Sequence, residues 1–366
     1  MASIRRYKAK SGARGYLWRV QYRSPDGRSR TKQGFATKDA AQAWADKSSS
    51  EVREGTWIAP SSARITVGEL GEKWLATQTH LKASTMRVTE QTWRVHVEPQ
   101  WGSWPVGRIL PSDVQAWLAG IDHSASMVRK AHACLAQILD IAVGDRLITV
   151  NPARGVKLPR KTPARKVYLT AEQLGRLAGE CSRRGELVWL LGTVGLRWGE
   201  AAALRVRDVN PLRGRISVER NAVTVGYRIV MGTPKTHERR SVAVPRAVMD
   251  MLVEGPMQSK APEALLWTRP DGEALRVPAK DDWYYSALGR VMRADPEFPR
   301  VTPHGLRHVA AGLMVSAGAN VKVVQRQLGH ASAAMTLDTY AELFDEDLDA
   351  VAVALDPVVA EAARRA

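Results

Sequence analysis

The segment 156–166 constrains the fold of this chain more than any other feature, because it interrupts regular structure near the middle of the sequence. It contains Pro159 and Pro163 among five basic residues. Proline has no backbone N–H and restricts the residue before it, so neither a helix nor a central strand continues through the segment. We therefore place a domain boundary here. The 366 residues are enough for two or three domains of about 100–200 residues each.

Residues 65–155, before this boundary, carry helix signals only. Thr66 and Glu69 have the spacing of a capping box, ahead of a helix that runs through Trp74 and Leu75. Three further helical patterns follow, and they are expected at about Ser84 to His96, after a cap at Ser112, and at about Ser126 to Val143. The region contains no candidate catalytic cluster, so an all-helical binding domain is predicted.

Residues 1–60 predict a small basic sheet with a helix packed on it, since they contain 13 Lys and Arg against 5 Asp and Glu. Apolar and polar residues alternate from Tyr16 to Arg23, which is typical of a strand. A turn at 24–27, a returning strand at about 28–35 and a helix capped by Thr37 follow. One face should pack against the helix, and the other is expected to carry Arg19, Arg23, Arg28, Arg30 and Lys32. Such a β-ribbon can lie in a DNA groove; a basic extension without groove contact is the alternative.

The charge of the whole chain also favours a polyanionic partner. There are 54 Lys and Arg against 37 Asp and Glu, a net charge of +17. Contacts from Lys and Arg to phosphates supply much of the affinity of proteins for nucleic acids, although solubility alone would also explain the excess. Cys134 and Cys181 lie in apolar helical patterns and are expected to be buried thiols of a reducing compartment. No apolar stretch suits a signal peptide or a membrane span, so we expect a cytoplasmic protein without membrane contact.

Residues 165–345 predict a mixed, mainly helical domain with a small antiparallel sheet. Thr170 and Gln173 form a second capping-box pattern. Helical patterns follow, then β-rich sequence from about Arg215 to Val244, then helices again. The fold class expected for the whole chain is therefore α+β, with a small sheet-plus-helix domain, an all-α domain and this mixed domain in that order.

The first candidate site in this domain is Arg197 with Glu200, within an apolar stretch predicted to be helical from Leu187 to Leu204. A charge in apolar surroundings is costly unless it is paired. The two residues form either a structural ion pair or a guanidinium that Glu200 holds toward a phosphate. The second candidate, Lys235, lies between two β patterns. It is either a catalytic group at a hairpin tip or a solvated turn residue.

The third candidate site is Thr302 to His308. Thr302 and Pro303 suit an N-cap and a first helical position, which would place His304 and Arg307 in the first turn of a helix, where free N–H groups favour anions. His304 and His308 have the spacing of a zinc pair. However, the metalloprotease glutamate is missing between them and Arg307 would repel a metal, so no metal site is predicted.

The fourth candidate site is His330 with Tyr340. Gly329 is expected to end a helix and to place His330 on a loop, and Ser332 to start the helix that carries Tyr340. A single tyrosine is more often a packing residue than a nucleophile. Phosphodiester chemistry, however, gives these sites a joint purpose, because an attacking phenol, two guanidinium groups for the phosphate oxygens, an acid and a base are the groups it needs. Tyr340 is the candidate phenol, and Arg197 and Arg307 are the candidate guanidinium groups. Lys235 is the candidate acid and His304 the candidate base, while His330 can hydrogen-bond to the phosphate.

The order of these residues resembles the tyrosine recombinase, or phage integrase, family, of which lambda integrase is a member. The matching motifs are GLRWGE, PKTHERR, HGLRH, LGH and TLDTY. The resemblance implies that Arg197, Lys235, His304, Arg307 and His330 surround the scissile phosphate, with Glu200 and His308 in supporting positions. It also implies that Tyr340 forms a covalent 3′-phosphotyrosyl intermediate. Because that linkage retains the bond energy needed for rejoining, no cofactor is expected.

The same resemblance assigns the regions of the chain. Residues 1–60 would be an arm-type DNA-binding domain, 65–155 a helical core-binding domain, 165–345 the catalytic domain, and 346–366 a tail that docks on a neighbouring protomer. Arg160 and Lys161, in the basic segment, suit a strap on a phosphate backbone.

The activity that the resemblance implies is integration, and also excision, of a phage or mobile element. The partners would be double-stranded attachment sites, three further copies of the chain in a tetramer, and accessory factors such as a DNA-bending host protein and an excisionase. The protein would act in the bacterial cytoplasm at the nucleoid. Two alternatives are DNA relaxation of the type IB topoisomerase kind and DNA binding without catalysis.

Overall fold

The structure, a computed structural model, describes residues 2–8, 16–24, 27–54, 57, 64–162, 166–226, 228–233, 239–341 and 347–365. Contacts between Cα atoms divide the chain into two compact units, Met1–Pro163 and Ala164–Ala366. The boundary between the units falls inside the proline-containing basic segment. In the described part of the chain, no helix combines the length and the apolar character that crossing a membrane requires.

The first unit begins with a three-stranded antiparallel sheet in the order β1-β2-β3. Its strands are β1 (Ser3–Lys8), β2 (Tyr16–Arg23) and β3 (Ser29–Phe35), and helix α1 (Lys38–Arg53) follows them. Val20 packs with Ala41 and Ala45 of the helix in a small core. The Thr37 side chain accepts a hydrogen bond from the Ala40 N–H at 3.2 Å, so the predicted cap is confirmed. Strand β1 was missing from the sequence pattern because its apolar and basic residues do not alternate.

The rest of the first unit is helical. Its helices are α2 (Val67–Thr77), α3 (Ala83–Thr92), α4 (Glu98–Trp101), α5 (Pro111–Gly120) and α6 (Ala125–Gly144), with a π-helical turn at Trp93–Val97. Trp93, Trp101 and Leu135 are fully buried in their common core. This core is separate from that of the sheet, but the division into domains at 1–60 and 65–155 stays a prediction.

Two of the expected helix starts in this region can be compared with the structure. The capping box at Thr66 is confirmed, since the Thr66 N–H donates to the Glu69 carboxylate at 2.8 Å and the Glu69 N–H donates to Thr66 Oγ1 at 3.2 Å. The expected cap at Ser112 is wrong. Helix α5 begins at Pro111, and the Asp113 carboxylate accepts from the Leu110 N–H at 3.0 Å. A proline at the first helical position together with an acid at the third starts this helix two residues earlier than a cap at Ser112 would.

The basic segment has no regular structure at 156–162, as its prolines predicted. Gln115 of α5 bonds to both backbone groups of Lys157, at 3.1 and 2.8 Å. Arg129 of α6 donates to the Pro159 carbonyl at 3.0 Å. Arg160 and Lys161 follow these anchors with their side chains exposed.

The second unit packs helices around a small antiparallel sheet. Its helices are α7 (Ala171–Glu180), α8 (Gly185–Val194), α9 (Trp198–Ala202), α10 (Arg246–Glu254), α11 (Trp283–Ala294), α12 (Leu306–Ser316), α13 (Val321–Leu328), α14 (Ala333–Tyr340) and α15 (Asp347–Arg365). Its strands are β4 (Val209–Asn210), β5 (Arg215–Val218), β6 (Asn221–Val225), β7 (Arg228–Gly232) and β8 (Arg240–Ala243). Strands β4, β5 and β8 form one sheet, and β6 and β7 form a separate hairpin.

The core of the second unit lies under α7, α8, α11 and α12, where Leu174, Leu187 and Leu306 are buried. The predicted capping box between Thr170 and Gln173 is confirmed. Cys181 of this unit and Cys134 of the first unit are both buried, as expected, and burial raises the pKa of each thiol to about 12.

Candidate functional site

The first functional arginine lies at a break between two helices. Helix α8 ends at Val194, Gly195 adopts a left-handed φ of 75°, and Arg197 is the N-cap of α9. The predicted continuous helix from Leu187 to Leu204 is therefore wrong. A Cβ atom on Gly195 would lie 2.4 Å from a methyl group of Leu328, so both the φ angle and the close packing require glycine here. The break places the guanidinium of Arg197 toward the loop that follows Leu328.

Glu200 is the buried acid that organises this site, and its side chain is 0% exposed. Arg197 donates to it twice, from its backbone N–H at 2.9 Å and from Nη1 at 2.8 Å. Arg240 donates to the other side of the carboxylate through both Nη atoms, at 3.0 and 2.7 Å. Burial alone would raise the pKa of Glu200, but the hydrogen bonds and charges of Arg240 and Arg197 outweigh it and lower the pKa. Glu200 is therefore a carboxylate held between two guanidinium groups.

Arg240 was not identified from the sequence, although a signal for it exists. It begins strand β8, two residues before the fully buried Val242, and its cross-strand partner is the buried Val218. Alternate residues of a strand share a face, so Arg240 points inward. An inward arginine needs a buried acid, and among the described residues the buried carboxylates are those of Glu200 and Asp208.

Arg307 lies beside this pair and is almost completely buried, at 5% exposure. Its Nη1 donates to the Gly195 carbonyl at 2.6 Å and its Nη2 to the Leu328 carbonyl at 2.7 Å. Arg197 Nη2 donates to the neighbouring carbonyl, that of Gly329, at 3.3 Å. The two guanidinium groups thus converge on consecutive backbone carbonyls. Burial, and then the charge of Arg197, lower the pKa of Arg307 to about 10, so it remains a cation at neutral pH.

Helix α12 starts later than its sequence predicted. It begins at Leu306, and the Thr302 hydroxyl accepts from the Gly305 N–H at 3.0 Å within the preceding turn. The Thr302 hydroxyl thus makes the hydrogen bond expected of an N-cap, and the Thr302 carbonyl accepts from the Leu306 N–H at 3.2 Å. The expectation that Pro303 is already in regular helix is wrong, because residues 303–305 form a turn before the helix. His304 therefore lies on an exposed turn, while Arg307 is in the first turn of the helix. Partial desolvation of His304, with the charges of Arg307 and Arg197, lowers its pKa.

His330 occupies the loop that was predicted for it. Gly329 ends α13 with a left-handed φ of 68°, and the Ser332 side chain caps α14 by accepting from the Met335 N–H at 3.1 Å. The Nδ1 atom of His330 is 2.9 Å from the hydroxyl of the buried Thr336. Burial, and then the charges of Arg307 and Arg197, lower the pKa of His330 to about 4, so the ring is neutral at pH 7.

Tyr340 is the last residue of α14 and is 1% exposed. Its hydroxyl is 3.0 Å from His308 Nδ1, and its ring stacks with that of His330 at 6.1 Å between centroids. Lys166 donates from Nζ to the Thr339 carbonyl and lies 5.8 Å from the Tyr340 ring centroid. Burial raises the pKa of Tyr340, and the nearby charge of Arg307 opposes part of that rise. Neither His308 as the hydroxyl's partner nor Lys166 as a neighbour was predicted.

Lys235 falls outside the described residues, and so does the segment around it at 234–238. The expectation that the flanking strands form a hairpin with Lys235 at its tip is wrong. Strand β7 pairs with β6, and β8 pairs with β5 in the other sheet. The hairpin in this region is instead formed by β6 and β7, because Gly226, at a φ of 66°, allows the chain to turn between them.

The basic face of the N-terminal sheet differs from its prediction. Val20 pairs with Lys32 and Tyr22 pairs with Arg30, so Lys32 and Arg30 lie on the face that packs against α1. Arg19 lies on the opposite face, where its cross-strand partner is Arg5. We call this the outer face, and its arginines are Arg5, Arg19 and Arg23. Arg28 precedes β3 and is exposed.

The site in the second unit can therefore bind a phosphate and attack it. Two guanidinium groups hold one carboxylate and that of Arg307 lies beside them, which leaves an excess of positive charge beside a tyrosine hydroxyl and three histidine rings. Because these groups are fixed by backbone carbonyls and buried partners, they need little reorganisation when an anion binds.

The sequence and the fold are similar to those of known proteins. The model of the phage integrase family matches residues 167–347. The integrase of Mycobacterium phage D29 is 30% identical over 315 residues, which cover 81% of this chain and 82% of that protein. The integrase of Mycobacterium phage L5 is 28% identical over 321 residues, or 83% and 85% of the two chains.

Two solved structures share the fold at lower identity. The Tn1549 transposon integrase in complex with a circular intermediate DNA has a TM-score of 0.68 at 20% identity, over 75% of this chain and 95% of that one. A lambda integrase tetramer bound to a Holliday junction has a TM-score of 0.56 at 17% identity, over 86% and 93%.

Proposed function

Because the chain belongs to the phage integrase family and is a tyrosine-type site-specific recombinase, we propose that it integrates and excises phage or mobile-element DNA through a 3′-phosphotyrosyl linkage to Tyr340. The observation that carries this proposal is the convergence of Arg197 and Arg307 on the consecutive carbonyls of Leu328 and Gly329, beside Tyr340. A protein that only binds DNA has no need of a tyrosine next to a phosphate-binding cluster. The integrases of the two mycobacteriophages support the assignment to phage DNA.

In this proposal the two guanidinium groups bind the nonbridging oxygens of the scissile phosphate and stabilise the charge that grows on them. Glu200 and Arg240 hold Arg197 in position for this. Since Nδ1 of His330 is bonded to Thr336, we assign the contact of His330 with the phosphate to its Nε2 atom. Lys235 remains our candidate for the acid that protonates the departing 5′ oxygen.

We assign DNA contacts outside the active site to exposed basic residues of the first unit. The outer-face arginines, Arg5, Arg19 and Arg23, would enter a groove of an arm-type site, and Arg160 with Lys161 would lie on the backbone of the core site. Arg30 and Lys32, on the face toward α1, and Arg28, which precedes β3, are then left out of the groove contact. A DNA-bending host protein and an excisionase remain expected accessory partners, and the nucleoid in the host cytoplasm remains the expected location.

We also propose that the protein assembles as a tetramer on DNA and that residues 346–366 dock on a neighbouring protomer. The lambda integrase tetramer on a Holliday junction supports this assembly. The tail helix α15 carries exposed apolar residues, Val353, Leu355 and Val359. Leu343 and Phe344, which precede this helix in the sequence, lie outside the described residues. Deleting 345–366 should impair recombination more than DNA binding, and unchanged recombination would contradict the role of the tail.

One assay tests the proposed function against its two alternatives. Wild-type protein and Tyr340→Phe are incubated with a supercoiled plasmid that carries two of the element's attachment sites, and products are followed by gel electrophoresis. We expect recombinant product and a covalent protein–DNA adduct with the wild type, and neither with Tyr340→Phe. Relaxation without recombinants would indicate a topoisomerase, and binding without an adduct would indicate a DNA-binding protein.

A further inference from the structure

The histidine that contacts the nucleophile is not the one that the sequence favoured. His308 Nδ1 lies 3.0 Å from the Tyr340 hydroxyl, within hydrogen-bond range. The two rings meet edge to face, with 5.6 Å between their centroids. His304, one helical turn earlier, lies 6.0 Å from His308 between ring centroids and stands on the exposed turn. Within the described residues, His304 makes no hydrogen bond to Tyr340.

We propose that His308 is the catalytic base that removes the Tyr340 proton during strand cleavage and returns it during rejoining. This inference rests on the proposed function, because it assigns a step of strand cleavage. It replaces His304 as the candidate base. His304 then remains a group near the phosphate, beside Arg307 and Arg197.

The surroundings of His308 favour the neutral form of its ring, which is the form that can accept a proton. Partial burial, and then the basic groups around it, lower its pKa below the ordinary value of 6.5. These groups are His304 and Arg307 on the same segment and Lys166 from the start of the second unit, and Tyr340 faces the ring from α14. A neutral ring whose proton is on Nε2 leaves the lone pair of Nδ1 for the Tyr340 hydroxyl.

Tyr340 needs such a base because its own surroundings do not ionise it. Burial raises its pKa, and Arg307 offsets only part of that effect. Tyrosinate is therefore scarce at neutral pH, and the proton must leave as the bond to phosphorus forms. A positioned general base typically accelerates such a step by about 100-fold to 10,000-fold.

The step balances without any further reactant. The Tyr340 proton moves to His308 Nδ1, the Tyr340 oxygen bonds to phosphorus, and the bond from phosphorus to the 5′ oxygen breaks. The departing 5′ oxygen takes a proton from a separate acid, for which Lys235 is our candidate. In rejoining, a 5′ hydroxyl attacks phosphorus and gives its proton back to the group that acted as the acid, the bond from phosphorus to the Tyr340 oxygen breaks, and the imidazolium of His308 protonates that oxygen.

The test compares two DNA duplexes that carry the crossover sequence. That sequence is first determined by sequencing the recombinant DNA junctions that the wild-type protein makes. In one duplex the bridging 5′ oxygen at the cleavage position is replaced by sulfur. A thiol has a pKa of about 8.5, so this leaving group departs without an acid, whereas Tyr340 still needs a base. Single-turnover formation of the covalent adduct is measured with full-length wild type, His308→Asn, His308→Ala and His304→Asn.

We expect His308→Asn and His308→Ala to form the adduct about 100-fold more slowly or worse than wild type on both duplexes. Asparagine keeps a hydrogen-bond partner near the position of Nδ1 but cannot take a proton at neutral pH. A wild-type rate for His308→Asn would therefore show that His308 only positions Tyr340, and it would overturn the proposal. Recovery of His308→Ala on the sulfur duplex would place the histidine at the leaving group and would also overturn it. If the wild type forms no adduct, the proposed function and this inference both fail.

The pH profile gives a readout that a structural role would not affect. Because the base must be neutral, wild-type cleavage should slow as the pH falls through the pKa of His308, below 6.5. His308→Asn should lose this acid limb and should instead speed up with hydroxide toward the pKa of Tyr340. His304→Asn is the matched control and should keep the limb. If His304→Asn loses the limb and His308→Asn keeps it, His304 is the base.

A measurement on the wild type alone covers the case in which the variants do not fold. Protein labelled with ¹⁵N-histidine reports by NMR which ring nitrogen carries the proton. At pH 7 we expect the proton of His308 on Nε2, with Nδ1 in the shift range of an unprotonated acceptor. A proton on Nδ1 would overturn the proposal, because that atom could not then accept the proton of Tyr340.

Discussion

The arginines of the active site and those of the N-terminal sheet differ in how they are held. Arg197, Arg240 and Arg307 are bonded to a buried carboxylate or to backbone carbonyls, and Arg240 and Arg307 are almost completely buried. On the outer face of the sheet, Arg5 lies directly opposite Arg19, and Arg23 follows on the same strand. Among the described residues, no carboxylate forms an ion pair with any of these three.

The difference shows two ways of preparing for a polyanion. In the active site the cost of removing charge from water is met during folding, so each guanidinium is already in place when the phosphate arrives. On the sheet the cations stay solvated, and opposed like charges destabilise a strand pair slightly until an anion lies between them. Single substitutions in the active site should therefore have large effects on stability or catalysis. Single substitutions on the sheet should have small, salt-dependent effects on DNA binding.

The largest effect is expected for Arg240→Met. It leaves the fully buried carboxylate of Glu200 with Arg197 as its one remaining ion-pair partner among the described residues. Removing one partner of a buried ion pair typically costs about 3–5 kcal/mol. We expect a loss of this size in the free energy of unfolding, measured by urea denaturation with tryptophan fluorescence.

Arg246→Met is the matched control for Arg240→Met. It removes an ion pair with Asp250 on the surface of α10, where the arginine side chain is 85% exposed. Surface pairs contribute little to stability, so this variant should unfold close to wild type. Equal losses for the two variants would contradict the comparison, because they would show that burial does not matter at Glu200.

The next effect is expected for Arg307→Lys in catalysis. A lysine keeps the charge but cannot bond to the Gly195 and Leu328 carbonyls together while presenting a flat pair of donors. Loss of one preorganised donor typically slows a reaction by about 100-fold to 1,000-fold. Single-turnover adduct formation should fall by that factor, while affinity for the crossover duplex should change little. A loss below tenfold would mean that charge alone suffices at this position.

Local signals in the sequence predicted several helix boundaries, some of them next to the site. The caps at Thr66, Thr170 and Ser332 and the helix end at Gly329 depend on residues within one turn, and all four were identified. The buried position of Arg240 depends on β8 pairing with β5, whose paired residues lie more than 20 positions away. The contact of His308 with Tyr340 spans 32 residues. Alternation along β8 can place Arg240 on the inward face, but neither its partner Glu200 nor the contact of His308 with Tyr340 can be derived from spacing along the chain.

The two sheets show the same limit. Strand β2 was identified because apolar and polar residues alternate along it. Strand β3 has polar residues on both faces between Ser29 and Gln33, so nothing in its own sequence indicated that Arg30 and Lys32 face α1. For Lys235, the pattern predicted both flanking strands but not that they pair with different partners. Strand pairing is set by packing across the sheet, which a single strand does not encode.

The smallest effect is expected on the sheet, for Arg19→Gln compared with Lys32→Gln. If the outer face binds DNA, Arg19→Gln removes about one phosphate contact, so the slope of log affinity against log salt should fall by about 0.9. Stability should stay equal or rise, because Arg19 no longer opposes Arg5. Lys32→Gln, on the face toward α1, should change the slope less. Binding of duplex DNA measured at several salt concentrations, together with thermal unfolding, checks both. A larger change of slope for Lys32→Gln would indicate that DNA binds on the face of the sheet toward α1, since only the face in contact with phosphates releases counterions.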